Sequence, residues 1–230
     1  MPNYYCWFKK FASQLFVYLL AVMMKFLPLF PLGLVAYPGE QVNLHIFEPR
    51  YKELINECFN KQVNFGMLPY FKDDLKEYGC IMKVTDIHKR YSDGKLDIKT
   101  EGTGIFRMIE FIEKAPNKLY SGAIISNVVL VDDAAPLLFQ KCKVLVNELF
   151  TVLNLDKSKI KNSSNSFQLA HHIGFTIDQE YELLTVKQER VRIKLIYEHL
   201  KKIIPVVKEA EMLKEKVKLN GHFKNIIPPM

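Results

Sequence analysis

Leu44-His45-Ile46-Phe47-Glu48-Pro49-Arg50-Tyr51 compresses a change of secondary structure into eight residues. Upstream, Val42, Leu44 and Ile46 alternate with Asn43 and His45, the period-two pattern of a strand with one buried face and His45 towards solvent. Downstream, Tyr51, Leu54, Ile55 and Cys58 recur at i, i+3, i+4 and i+7, one face of a helix. Pro49 suits the first helical position, where a missing N–H removes no bond. Glu48 lies against the positive end of that helix, Arg50 is placed to pair with a carboxylate, and Asn60 is placed to cap the far end. A strand therefore gives way to a helix here, and Glu48-Pro49-Arg50-Tyr51 reads as structural before it reads as functional.

On both sides of this junction the pattern is β. Leu27 to Tyr37 is apolar, and its two prolines predict an edge strand or a strand entry. Pro38-Gly39 is a turn. Short apolar strands follow at 64–68 and 79–85, the latter extended through Asp86 to Tyr91. Asp93-Gly94 predicts a tight hairpin with positive φ at both central positions. Leu96, Ile98 and Thr100 then share one face, and two further strands are read at 105–112 and 119–131. Several short strands within about 100 residues point to a small barrel or sandwich.

Beyond Asp132-Asp133-Ala134-Ala135-Pro136 the period changes from 2 to 3.6. Leu138, Cys142, Leu145, Leu149 and Val152 predict an amphipathic helix. Residues 156–166 read as a polar loop. Ser166 is a candidate cap for a helix at 167–173 ended by Gly174, and Asp178 for one at 179–184. Thr185 to Gln188 resembles a capping box ahead of a longer helix with Ile193, Ile196, Leu200 and Ile203 on its core face. Pro205 should break or kink that helix. Val206, Ala210, Leu213 and Val217 continue a stripe until Asn220-Gly221.

Taken together and in order, these pieces resemble the N-terminal, substrate-binding domain of Lon-type proteases. Leu27 to Leu32 and Tyr37-Pro38-Gly39 look like that domain's opening strand and turn. Leu44 to Tyr51, with Phe47, Glu48, Pro49, Arg50 and Tyr51, is very similar to the signature of small proteins made of this domain alone. Phe65-Gly66, Gly79 to Val84 and Asp93 to Arg107 fit the strands that follow. The resemblance implies an α+β fold: a PUA-like β pseudo-barrel followed by an α-helical bundle. The expected divisions are a doubtful extension at 1–24, the β-rich part at 25–134, the helical part at 135–222 and a tail at 223–230. It also implies a stand-alone module that binds protein or peptide clients, including unfolded ones, with no cofactor and no catalytic residues of its own.

The chemistry in the sequence agrees with that expectation. No G-x-x-x-x-G-K-[ST] loop is present, since Gly94-Lys95 is followed by Leu96, and the chain ends before an ATPase or Ser–Lys peptidase could fit. Cys6, Cys58, Cys80 and Cys142 have no C-x-x-C spacing and read as reduced thiols of a cytoplasmic protein. His171-His172 point about 100° apart on a helix, which suits one buried and one exposed ring better than a metal site. Asp73-Asp74 and Asp132-Asp133 read as turn residues. The apolar run Leu15–Met24 is too short to span a bilayer, so no stable membrane insertion is expected. It stands upstream of Met23-Met24, where translation is expected to start.

The chain has 230 residues and a formal charge of +7. Residues 1–134 carry 16 Lys/Arg and 15 Asp/Glu, and residues 135–230 carry 16 and 10. That basic second half, with the habit of PUA-like barrels, makes RNA binding the competing reading. Its charges alternate in sign, as on a solvated helix, and no basic-aromatic strand accompanies them. A small-molecule pocket is the third class, with no specific sequence support. For peptide binding, the expected place is a groove between barrel and helices, and Tyr70 and Phe71 are the candidate exposed aromatics.

Overall fold

A computed structural model describes residues 25–223. The expectations for residues 1–24, including Cys6 and the start at Met24, and for residues 224–230 of the tail lie outside the described residues. The chain divides into two compact units, with the changeover between Val129 and Leu130.

The first unit runs β1 (Lys25–Leu32), β2 (Gln41–Ile46), α1 (Pro49–Lys61), β3 (Phe65–Phe71), β4 (Asp74–Leu75), β5 (Tyr78–Arg90), β6 (Leu96–Ile112) and β7 (Gly122–Val128). Five of these strands close a hydrogen-bonded ring, β1-β7-β6-β5-β3 and back to β1. Closure depends on β1 changing partner midway. Lys25 to Pro28 pair antiparallel with Ile125 to Gly122, and Leu29 to Leu32 pair parallel with Gly66 to Pro69. The two prolines therefore stand in a strand that is paired on one side at a time. Each half of the strand has one named neighbour, and Pro28 sits at the changeover, so the missing N–H groups do not prevent either pairing.

β6 is one 17-residue strand, where the sequence suggested two. Its first half pairs β2 and its second half pairs β7, while β5 follows it along most of its length. Register shifts at Ile81/Met82, Val84/Asp86, Ile87/Lys89 and Met108/Glu110 bend these long strands enough to curl the sheet. The β5–β6 loop is also longer than expected. Gly94 donates to the Tyr91 carbonyl and alone takes a positive φ, +80°. The two-residue turn with two positive φ values occurs instead at Lys72 (+56°) and Asp73 (+54°), between β3 and β4.

Strand alternation sends β1 side chains into two separate cores. Leu27 and Leu29 pack inside the ring with Leu68, Phe106, Ala123 and Ile125. Phe30 points the other way, towards Tyr51, Leu54, Ile55 and Cys58 of α1, and its ring lies 4.1 Å from that of Tyr51. α1 ends at Gln62, which takes the left-handed conformation (φ 52°) and returns its side-chain amide to the Phe59 carbonyl; Asn60 lies inside the helix. The Pro38-Gly39 turn docks on β6: Gly39 N–H donates to the Gly102 carbonyl (2.8 Å) and Gly102 N–H to the Glu40 carbonyl (2.9 Å). A Cβ on Gly102 would stand 2.1 Å from the Tyr37 carbonyl oxygen, and backbone cannot rotate away as a side chain can.

The second unit is helical: α2 (Pro136–Val152), α3 (Ser158–Lys161), α4 (Phe167–Ala170), α5 (Ile177–Thr185) and α6 (Glu189–Phe223). α2 buries Cys142, Val146, Leu149 and Phe150, a face rotated from the predicted stripe, which leaves Leu138 and Leu145 half-buried. α6 buries Ile193, Ile196, Leu200 and Ile204, the last in place of Ile203. It continues through Pro205, and the stripe Val206, Leu213 and Val217 beyond that point is exposed.

The caps also differ from the sequence reading. Thr176, not Asp178, caps α5 in a full capping box with Gln179. Thr185 ends α5 instead of opening α6, and Asp133 accepts from the Arg190 N–H at the start of α6. Ser166 makes no cap because its hydroxyl is committed elsewhere. It donates to Glu189 (2.7 Å) and accepts from Arg192 Nε (2.9 Å), while Arg192 Nη2 reaches Glu189 at 2.6 Å. This buried network ties the start of α4 to the first turn of α6.

Two substitutions test these packings and a third serves as an exposed control. Gly102→Ala should cost about 3 kcal/mol through backbone overpacking, read as a lowered urea midpoint. Glu189→Ala strands the Arg192 guanidinium, 4% exposed, and should cost about 3–5 kcal/mol. Lys208→Ala, which removes the exposed pair with Glu148, should cost under about 1 kcal/mol. Equal losses for Glu189→Ala and Lys208→Ala would contradict the buried network.

Candidate functional site

The residues singled out in the sequence do not come together. Glu48 is the N-cap residue of α1, Pro49 its first residue, and Arg50 pairs with Glu48 at 2.8 Å while its guanidinium covers the Tyr51 ring at 4.5 Å. Tyr51 is buried, and burial raises its phenol pKa. Phe47 is exposed and stacks beside His45, whose Nδ1 lies 2.6 Å from Asp97. Pro38 and Gly39 form the turn on Gly102. Tyr70 is exposed at the end of β3, and Phe71 lies under the Lys76 ammonium at 4.4 Å. They fall in three separate places: the Pro38-Gly39 turn, the start of α1 and the end of β3.

A groove is instead assembled from three segments distant in sequence: the start of β1, the end of α1 with residues 62–64, and the chain between β6 and β7. It is open and has a volume of about 660 Å³, within the range of ligand-binding clefts. Phe26, Leu27, Pro28, Val63, Ile112, Ala115 and Pro116 give it apolar walls. Phe26 and Val63 keep about two-fifths of their surface exposed, at 39% and 43%. Asn117, at φ 58°, reverses the chain beside Pro116 and brings Lys118 and Tyr120 back to α1.

Glu57 fastens these walls together. Its carboxylate accepts from Lys118 Nζ (2.5 Å), Lys61 Nζ (2.5 Å) and the Tyr120 hydroxyl (2.7 Å), while Glu53 accepts the Leu119 N–H. Those donors, Lys118 first, hold the Glu57 pKa down from 4.5 to about 2. Burial, then Glu57, raises that of Tyr120. Cys58 also lines the groove, and burial pushes its thiol up to about 12, so it stays protonated at neutral pH.

No sequence motif announced this site. The detectable signals were the i, i+4 pair Glu57–Lys61 and the turn-forming Pro116-Asn117; neither shows that the segments meet. In the second unit, His171 Nδ1 pairs with Glu180 at 2.7 Å, and His172 is half-buried with its ring edge-on to Phe150. Among the described residues no three His, Cys, Asp or Glu side chains are grouped to hold a metal. Cys58, Cys80 and Cys142 are free, buried thiols.

The Glu57 shift sets a pH dependence. Because the folded-state pKa lies below the ordinary value, the carboxylate stabilises the fold above about pH 4.5, and this contribution is lost as pH falls towards 2. Thermal melts of the parent chain should therefore fall more steeply between pH 4.5 and 2 than those of Glu57→Gln. Parallel curves would show that Glu57 does not fasten the groove.

Comparison with known proteins places this architecture. Residues 26–202 match the family described as the ATP-dependent protease La (LON) substrate-binding domain. A crystal structure of a Lon N-terminal domain protein from Xanthomonas campestris is 26% identical, with a TM-score of 0.57 over 74% of this chain and 95% of that one. The N-terminal domain of the Mycobacterium avium complex Lon protease is 14% identical and shares the fold, with a TM-score of 0.59 over 77% of this chain and 98% of that one. A ring of strands followed by a helical unit, matched across both units, assigns the chain: it belongs to the Lon substrate-binding domain family.

Proposed function

We propose that this chain is a non-catalytic module that captures protein or peptide clients, including unfolded ones, and acts as an adaptor in protein quality control in the cytoplasm. The groove beside Glu57 is the proposed contact surface, and the exposed pair Phe26 and Val63 on its apolar walls is the observation that carries the reading. Apolar segments are buried in folded proteins and exposed in unfolded ones, so an open apolar groove selects unfolded clients by the hydrophobic effect alone. The ionisable groups around it suit binding more than catalysis. Glu57 is held ionised by three donors, and the Cys58 thiol is protonated.

Tyr70 and Phe71 form a second proposed contact, through the exposed Tyr70 ring. The RNA reading gains no support: two of the α6 lysines are paired with acids, Lys208 with Glu148 and Lys214 with Glu211. No helix of the described residues is long and apolar enough to cross a membrane.

Binding of a permanently unfolded, dye-labelled protein tests the reading. The parent chain should bind it and not its native form, without cleaving it. Phe26→Gln combined with Val63→Gln should weaken binding about tenfold at unchanged circular dichroism, the effect of losing roughly 1.5 kcal/mol of apolar contact. Equal affinity for native and unfolded protein would remove the proposal, as would cleavage of either by the purified chain.

A further inference from the structure

The charges around the groove are one-sided. Lys25, Lys61 and Lys118 line it together with a single carboxylate, Glu57. Glu57 is a poor partner for a ligand cation, because it already accepts from two ammonium groups, Lys118 and Lys61, and from the Tyr120 hydroxyl. A cationic ligand would approach it against the like charge of Lys61 and Lys118. An anionic ligand meets the reverse situation. Lys61 uses one bond to Glu57 and its side chain is 64% exposed, leaving donor capacity towards the groove. Lys25 stands outside the Glu57 network at the groove's β1 end. The lining therefore carries a net charge of +2 over an apolar floor.

We propose that the groove selects apolar peptide segments flanked by acidic side chains, because its lysines stand on separate elements, Lys25 on β1 and Lys61 on α1. This rests on the peptide-binding reading above and adds the chemistry of the preferred client. The apolar walls supply most of the affinity, and the lysines supply discrimination: a carboxylate gains a charge-assisted bond where an ammonium meets like charge. Exposed lysines are screened by salt, so the preference fades as ionic strength rises above about 0.15 M.

The test uses the full chain and four dye-labelled peptides that share one five-residue apolar core. Three are acetylated and amidated, with flanks of Glu, Gln or Lys; the fourth has Gln flanks and a free C-terminal carboxylate. At low salt the Glu-flanked peptide should bind about tenfold more tightly than the Lys-flanked one, with Gln between them. Lys25→Gln with Lys61→Gln should bring that ratio to within about twofold. Lys25→Gln alone, which leaves every donor to Glu57 in place, should lower the ratio part of the way. A free C-terminal carboxylate that matches the Glu flanks would overturn the assignment to acidic side chains, and one that matches Gln supports it. Equal affinities across the flanks would overturn the charge preference and leave the peptide-binding reading standing. A preference unchanged in both lysine variants would assign it to the chain's overall positive charge and overturn it too. Failure of every peptide to bind would sink the groove as a peptide site altogether.

Discussion

Strand β1 must serve two neighbours, and the rest of the first unit depends on how it does so. Its first four residues complete β7 and its last four complete β3, which turns an open sheet into a ring. Because a strand sends alternate side chains to opposite faces, the same eight residues also separate two cores. Leu27 and Leu29 fill the inside of the ring, and Phe30 anchors α1 from outside. Losing either pairing would expose an unpaired strand edge and open the core behind it. The groove begins at the half of β1 that pairs β7, so the constraint that closes the barrel also places one wall of the site.

The two units are stiffened by different physics. In the first, Glu57 lies at a partly exposed rim and gathers three donors from α1 and the 113–121 loop, so its contribution depends on pH and salt. In the second, Ser166, Glu189 and Arg192 are almost completely buried, and Arg192 also donates to the Val186 and Lys187 carbonyls. There the contribution depends on every polar group being satisfied, because an unpaired charge out of contact with water costs several kcal/mol. One arrangement holds a groove that is open to water. The other fixes the approach of the chain to its longest helix.

Local signals recovered the elements far better than their junctions. Alternation at Val42, Leu44 and Ile46 and the helical spacing of Tyr51, Leu54, Ile55 and Cys58 were legible because one buried face leaves a periodic trace. Caps were missed for two reasons, a tertiary bond in one case and a nearer local capping box in the other. Ser166 was drawn from capping by the Arg192–Glu189 pair, and Thr176 took the position assigned to Asp178. The continuity of β6 was hidden by Gly102, Thr103 and Gly104, which read as a break. In the structure Gly102 is there because the Tyr37 carbonyl leaves no space for a Cβ. A glycine demanded by another segment cannot be told, in one sequence, from a glycine that ends a strand.

The groove was illegible for a deeper reason. Phe26, Val63 and Pro116 are ordinary residues in three separate contexts: a strand start, a helix exit and a turn. None carries a motif, and their joint property, an apolar trough edged by lysines, exists only once the ring has closed and Glu57 has drawn the 113–121 loop against α1. Catalytic sites leave traces in sequence because their chemistry restricts residue type at each position. A surface that selects clients by exposed apolar area restricts only the sum, and many combinations of side chains give the same sum. A binding module of this kind is therefore recognised through its fold, and its site only through the packing that assembles it.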